Sequence, residues 1–196
     1  RELELDAVSE VPRYYVCNAY GVCGIYSAPG TAVKEAYDTS GIVTNDRGVT
    51  VWLKGNRVSR NQIMAIKEES VTEQKNSLAV CLDNILRHAG ITRNTEYDLA
   101  QGKTATTILS ENMTGVQVLD LSGCTLDAVL YYVNQDIPVL AILEDGEAVL
   151  VTGFNEFNVV IMEPATGKLY KKGMNDATAW FAENGNHFIT YMRIEN

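Results

Sequence analysis

Reactive side chains are few in this sequence, and their spacing limits the chemistry that they could perform. Histidine occurs at two positions and cysteine at four, namely His88, His187, Cys17, Cys23, Cys81 and Cys124. No two cysteines form a Cys-x-x-Cys pair, whereas a structural zinc site needs thiolates or imidazoles at short spacing. We therefore expect no metal site and no cofactor.

Cys17 and Cys23 flank the segment Asn18–Val22, whose composition predicts a hairpin turn. Their side chains could meet across the paired strands and form a disulfide in an oxidising compartment. Two buried free thiols are the interpretation that we slightly prefer, because unpaired cysteine is among the most buried residue types.

Cys81 belongs to the strongest helical pattern of the chain. Apolar side chains recur there at the i, i+3, i+4 and i+7 spacing of a buried helix face, namely Leu78, Cys81, Leu82, Ile85, Leu86 and Ala89. Asn76 or Ser77 is in place to cap the first turn, and Gly90 marks the end. Because burial raises the pKa of a thiol, we expect Cys81 to be a core residue rather than a nucleophile.

The two histidines are poorly placed as partners of Cys81. His88 follows Cys81 by two helical turns, so a rigid helix separates the two side chains by about 10 Å. A nucleophile and its base must come within about 3 Å of each other, which excludes this pair. His187 could reach Cys81 only through the tertiary fold, so a cysteine peptidase site built from Cys81 and His187 stays open as an alternative.

The net charge of the chain limits the classes of molecule that it is expected to bind. The 196 residues include 16 lysines and arginines against 25 aspartates and glutamates, a net charge of −9. Nucleic acid and anionic membrane surfaces repel a chain of this charge. No apolar run in the sequence approaches the ~20 residues that are needed to cross a bilayer. The densest basic cluster, formed by Lys54, Arg57 and Arg60, is typical of a solvated face. We therefore expect neither nucleic-acid binding nor membrane insertion.

The first 67 residues predict a small β-β-α-β-β-α module. Turn signals at Asn18–Gly21 and Asn45–Gly48 indicate two hairpins, with a helix over Ala32–Tyr37 between them and a last helix from Ser59 to Ile66. The chain starts without an initiator Met, which predicts a processed piece of a longer parent protein and leaves its compartment open.

Residues 68–196 predict a second domain, in which helices come first and a sheet follows. The polar stretch Glu68–Lys75 forms the boundary, and the Cys81 helix comes next. Further on, apolar runs alternate with turn signals and predict antiparallel strands at Ile137–Leu143, Glu147–Thr152, Val159–Glu163, Lys168–Lys171 and His187–Ile194. This order predicts an α+β fold.

Three segments carry a resemblance to a known family. They are Gln74–Leu82 (QKNSLAVCL), Asp145–Phe154 (DGEAVLVTGF) and Val159–Gly167 (VVIMEPATG). In order and spacing they resemble the nucleophile helix, the histidine strand and the acid-Pro strand of the double-glycine leader peptidases. This family processes bacteriocin precursors and has a papain-like fold. The resemblance covers about Val71–Ile194 and implies a bacterial origin.

The family's reactive residues are replaced at the matching positions. The resemblance places the nucleophile at Ser77, the general base at Glu147 and the orienting acid at Glu163, where the family has Cys, His and Asp or Asn. Gln74 matches the oxyanion-hole Gln but lies closer to the helix start. Taken alone, Ser77 could be a helix cap, Glu147 a surface residue after a turn, and Glu163 a residue at a strand end.

The resemblance implies a catalytically inactive peptidase-like domain that binds a peptide or protein segment within a larger bacterial protein. A serine hydroxyl needs a strong base to attack a carbonyl, and a carboxylate with a pKa of ~4.3 is a weak one. Two alternatives stay open: an active cysteine peptidase using Cys81, and a structural spacer domain of a surface protein.

Overall fold

The computed structural model describes residues 11–55 and 76–194, and the chain divides into two compact units, Arg1–Asn56 and Arg57–Asn196. The boundary predicted between residues 67 and 68 lies outside the described residues. Gln74 and the helix predicted from Ser59 to Ile66 also lie outside them. All three therefore stay predictions.

The described part of the N-terminal unit is a four-stranded antiparallel sheet with one helix. The sheet has the order β2-β1-β3-β4, and its elements are β1 (Tyr14–Cys17), β2 (Cys23–Tyr26), α1 (Pro29–Thr39), β3 (Ile42–Asn45) and β4 (Thr50–Leu53). The side-chain oxygens of Asn18 and Asn45 each accept hydrogen bonds from the backbone N–H groups two and four residues ahead. Asparagine stabilises tight turns in this way, which explains why both predicted hairpins form.

Cys17 and Cys23 are joined by a disulfide next to the first hairpin turn. They are direct partners in the register of β1 and β2, and both are exposed. Tyr14 and Val16 are buried, so the alternation of side chains along β1 turns Cys17 toward solvent. The expectation of two buried free thiols is therefore wrong, because the hairpin sets both side chains next to each other on the exposed face.

The C-terminal unit is α+β, as the sequence predicts. Its antiparallel sheet has the order β5-β10-β6-β7-β8-β9. The strands are β5 (Val116–Asp120), β6 (Val139–Ile142), β7 (Ala148–Phe154), β8 (Asn158–Glu163), β9 (Lys168–Gly173) and β10 (His187–Arg193). The described helices are α2 (Ser77–His88), α3 (Thr95–Ala100), α4 (Ala105–Asn112), α5 (Leu126–Val133) and α6 (Met174–Glu183). β7 is buried along its whole length, and both α2 and α5 pack on it.

The start of α2 is capped by Asn76. Its side-chain oxygen accepts hydrogen bonds from the backbone N–H groups of Leu78 at 2.9 Å and Ala79 at 3.4 Å. These bonds satisfy amides of the first turn that have no partner within the helix. Ser77 is therefore the first helical residue and not the cap, so its hydroxyl is available for a different contact.

Helix α3 is fixed to α2 by a buried threonine, and an ion pair joins it to the residues before it. Thr95 Oγ1 lies 2.7 Å from Asp83 Oδ1 and 3.1 Å from the carbonyl oxygen of Ala79, and its backbone N–H donates to the same Asp83 oxygen at 2.9 Å. Arg93 donates from Nε and Nη2 to the two carboxylate oxygens of Asp98 at 2.9 and 3.0 Å. This fork-like geometry is the stronger kind of arginine–carboxylate pair.

The described ranges contain neither a membrane-spanning helix nor a metal-binding cluster. Within residues 11–55 and 76–194, no helix is both long and apolar enough to cross a bilayer. The same residues contain no group of three or more acidic, histidine or cysteine side chains arranged to hold a metal ion.

Asp98 should make thermal stability depend on pH. The hydrogen bonds from Arg93 hold the pKa of Asp98 below its usual value, although desolvation opposes this shift. Such a carboxylate stabilises the fold above its unfolded pKa of about 3.9, and this stabilisation is lost as the pH falls through the lower folded value. Asp98→Asn should therefore lower the unfolding temperature, measured by circular dichroism, more at pH 7 than at pH 3.

The matched control is Glu96→Gln, which alters an exposed carboxylate of the same helix. It should shift the unfolding temperature little at either pH. A loss of stability in Asp98→Asn that is equal at pH 7 and pH 3 would contradict the role assigned to the ion pair.

Candidate functional site

Ser77 connects the start of α2 to the start of β7. Its Oγ accepts a hydrogen bond of 2.9 Å from the backbone N–H of Ala148, the first residue of β7. Ala148 is buried and Ser77 is partly buried. The hydroxyl at the helix start therefore lies directly beside the residue that follows Glu147.

Glu147 and Glu163 lie at the same end of two neighbouring strands. In the register of β7 and β8, Leu150 is opposite Met162. Glu163 is therefore one residue past this pair on β8, and Glu147 is three residues before it, immediately preceding β7. Glu147 is exposed, whereas Glu163 is partly buried and accepts a hydrogen bond of 3.3 Å from the backbone N–H of Ala165. The hydroxyl and the two carboxylates thus gather at one end of the sheet.

Cys81 lies one turn further along α2 and is fully buried. Burial raises the pKa of its thiol well above the usual value, and the negative charge of Glu163 raises it further. The thiolate is the form that attacks carbonyls, and both effects disfavour it. Cys81 is thus held in the protonated state at neutral pH.

His88 lies at the other end of α2 from Ser77. Its Nε2 is 2.9 Å from the backbone carbonyl oxygen of Asp136, which accepts the Nε2 proton. The length of the helix therefore separates this imidazole from the hydroxyl of Ser77.

His187 lies in the same row of the sheet as Ala148 but two strands away. His187 is paired with Ile142, and Ile142 is paired with Ala148. Two strand spacings amount to about 10 Å. The Nε2 of His187 is 3.9 Å from Oδ1 of Asp120, which belongs to β5 on the far side of β10. The imidazole is therefore directed away from β7.

Within the described residues, the place beside Ser77 thus offers a hydroxyl and carboxylates rather than a thiol and an imidazole. Such groups accept hydrogen bonds and can bind a cation or an N–H donor. A carboxylate is a much weaker base than an imidazole and gives a serine hydroxyl little help in attacking a carbonyl. Gln74, the predicted oxyanion donor, lies outside the described residues.

Comparison with solved structures shows the fold. The chain is similar to a crystal structure from Bacillus anthracis described as a C39-like peptidase, with a TM-score of 0.56 and 12% sequence identity. The match covers 70% of this chain and 100% of the other. The predicted papain-like fold is therefore confirmed. No protein-family model matches the chain, and no curated protein sequence does.

The hydrogen bond between Ser77 and Ala148 is the part of the site that the sequence does not predict. Serine next to an asparagine at a helix start is typical of a cap, and both residues fit that role equally well in the sequence. The electrostatic contact of Glu163 with Cys81 also depends on how α2 lies over the sheet. Neither relation has a local sequence signal, because each joins residues far apart in the chain.

Cys81 should resist alkylation in the folded protein. In a Cys124→Ala variant it is the single free thiol among the described residues. We expect iodoacetamide at pH 8 to leave Cys81 unmodified until a denaturant is added, because burial and Glu163 both disfavour the thiolate. Mass spectrometry of tryptic peptides measures the fraction of Cys81 that is alkylated. Alkylation of the native variant at the rate seen in denaturant would contradict this assignment.

Proposed function

We propose that the C-terminal unit is a catalytically inactive peptidase-like domain that binds a peptide or protein segment at the Ser77 end of the sheet. The observation that carries this proposal is the hydrogen bond from Ala148 N–H to Ser77 Oγ, since it brings the helix start and the strand start together as a peptidase site requires. The residues at this place lack the groups that would generate a nucleophile.

The chemistry of the replaced positions supports inactivity. A cysteine peptidase needs a thiolate, which an imidazolium and the helix start stabilise by lowering the thiol pKa. Here the position at the helix start is a serine, and its acidity is far lower. The base and acid positions are Glu147 and Glu163, and two negative charges give no positive group to stabilise a developing oxyanion.

The same groups support binding. Glu147 is exposed and Glu163 is partly exposed, so both can accept hydrogen bonds from a ligand. Ser77 keeps its proton as a donor, because its oxygen acts as an acceptor toward Ala148. Carboxylates paired with N–H donors make the stronger class of hydrogen bond, which favours a peptide segment with a basic side chain or a free amine.

The direct test combines a peptide library with an assay for hydrolysis. We expect the protein to retain a subset of peptides without cleaving them. Glu147→Lys should abolish this retention by reversing the charge at the site. The matched control Glu156→Lys, an exposed residue of the turn between β7 and β8, should keep it.

Three outcomes would overturn the proposal. Hydrolysis that Cys81→Ala abolishes would establish a peptidase using the buried thiol. Equal retention by the Glu147→Lys and Glu156→Lys variants would place binding elsewhere. Failure to retain any peptide or native protein would favour a structural spacer.

Introducing the family's cysteine at position 77 and its histidine at position 147 tests whether these are the nucleophile and base positions. In a Ser77→Cys/Glu147→His double variant, the new thiol should lie beside the new imidazole. We expect its pKa, measured from thiolate absorbance, to fall well below the usual value of ~8.5, because the imidazolium stabilises the thiolate.

The control for the reconstruction is Ser77→Cys/Glu144→His, which places the histidine on the same turn but away from the strand start. Its thiol pKa should be higher than that of the double variant at Glu147. Equal pKa values in the two double variants would mean that residue 147 does not occupy the base position.

A further inference from the structure

A cavity of about 470 Å³ lies at the end of α2 that is opposite to Ser77. It is formed where the C-terminal end of α2 meets the start of β5 and the end of β10. Its lining includes His88, Thr114, Val116, Tyr191 and Arg193. This volume is within the range of small-molecule sites in proteins. The cavity is separate from the proposed peptide site and does not depend on it.

The charges around this cavity differ from those of the whole chain. The chain has a net charge of −9. The ionisable side chains that line the cavity are His88, Tyr191 and Arg193, and no carboxylate is among the lining residues. A cavity with basic groups and no acid selects negatively charged ligands.

A hydrogen bond to a residue that does not line the cavity holds the Arg193 side chain in place. Its Nη1 donates a hydrogen bond of 3.3 Å to the backbone carbonyl oxygen of Gln135. Burial raises the pKa of Tyr191, while the positive charge of Arg193 opposes the shift. The phenol of Tyr191 therefore keeps its proton at neutral pH, and its ring lines the cavity as an apolar wall with a hydroxyl donor.

His88 has one ring nitrogen bonded and one without a partner. The carbonyl oxygen of Asp136 can only accept, so the Nε2 of His88 carries a proton. The Nδ1 is buried and has no hydrogen-bond partner among the described residues. A buried polar atom without a partner costs free energy.

We propose that this cavity binds a small organic carboxylate. The carboxylate would bind the Arg193 guanidinium beside the ring of His88, with the Thr114 hydroxyl as a further donor. Val116 and the ring of Tyr191 would contact the apolar part of the ligand. Arginine suits this role, because its planar fork matches the two oxygens of a carboxylate.

Three other charged residues lie near His88. Arg193 lines the same cavity. Arg87 precedes His88 on α2 and is exposed, with a hydrogen bond from Nη1 to Asn84 at 3.3 Å. Asp136 provides the carbonyl that holds Nε2, and it is not among the lining residues. A bound carboxylate would lie beside Arg193 and the His88 ring, with no carboxylate among the described lining residues to repel it.

The probe for this site is benzoate, with benzamide as its uncharged analogue. The readout is the ¹⁵N spectrum of the histidine side chains at pH 7, with His187→Asn used to assign the two rings. We expect benzoate to shift the ring nitrogen signals of His88 in a saturable way, because this ring lines the cavity, and benzamide to leave them unchanged. Arg193→Gln should weaken benzoate binding by about tenfold or more, whereas the matched Arg87→Gln should not.

Several results would overturn the proposal. Equal responses to benzoate and benzamide would show that the negative charge is not recognised. Equal benzoate affinity in the Arg193→Gln and Arg87→Gln variants would exclude Arg193 from the site. A larger His88 shift with inorganic phosphate than with benzoate would assign the cavity to a different class of anion. Shifts of His88 and His187 over the same benzoate concentrations would indicate nonspecific binding.

Discussion

A single hydrogen bond, from the backbone N–H of Ala148 to the hydroxyl of Ser77, determines how the C-terminal unit presents its candidate site. It joins the first residue of α2 to the first residue of β7, and these two elements are far apart in the sequence. Asn76 makes the contact possible because it caps the helix and leaves the Ser77 hydroxyl available. The register of β7 and β8 brings Glu147 and Glu163 to this same end of the sheet. Cys81 belongs to the apolar face of α2 that packs on the core, and its side chain is therefore buried.

The fold is similar to that of a peptidase structure, but the described groups at the candidate site do not include an accessible thiol beside an imidazole. The similarity to a C39-like peptidase structure concerns the fold alone, because the sequence identity is 12%. At Ser77, Glu147 and Glu163 this chain has groups that accept hydrogen bonds, and two of them are carboxylates. A thiol is present one turn away, yet burial and Glu163 raise its pKa and keep it protonated. Groups of this kind suit the binding of a donor-rich or cationic segment better than attack on a peptide bond.

Much of the fold could be predicted from the sequence because its signals are local. The apolar stripe of α2, the asparagine turns of the N-terminal hairpins and the alternating runs of the C-terminal sheet depend on neighbouring residues. Whether Cys17 and Cys23 are buried free thiols or an exposed disulfide was harder to predict. Unpaired cysteines are usually buried, but the alternation of side chains along β1 and the pairing with β2 set these two on the exposed face. The contact of Ser77 with Ala148 and the cavity beside His88 could not be predicted. Each depends on how helices lie against the sheet, which the sequence encodes only through packing of the whole core.

Disulfide trapping measures most directly whether residues 77 and 147 lie side by side, on which the candidate site depends. A Ser77→Cys/Glu147→Cys variant should form a disulfide between these two positions under mild oxidation, because the hydroxyl of Ser77 contacts the adjacent residue Ala148. A Ser77→Cys/Glu156→Cys variant, whose second cysteine lies beyond the opposite end of β7, should not. Peptide mapping by mass spectrometry identifies the linkage. Cross-linking in neither variant, or to the same extent in both, would contradict the account.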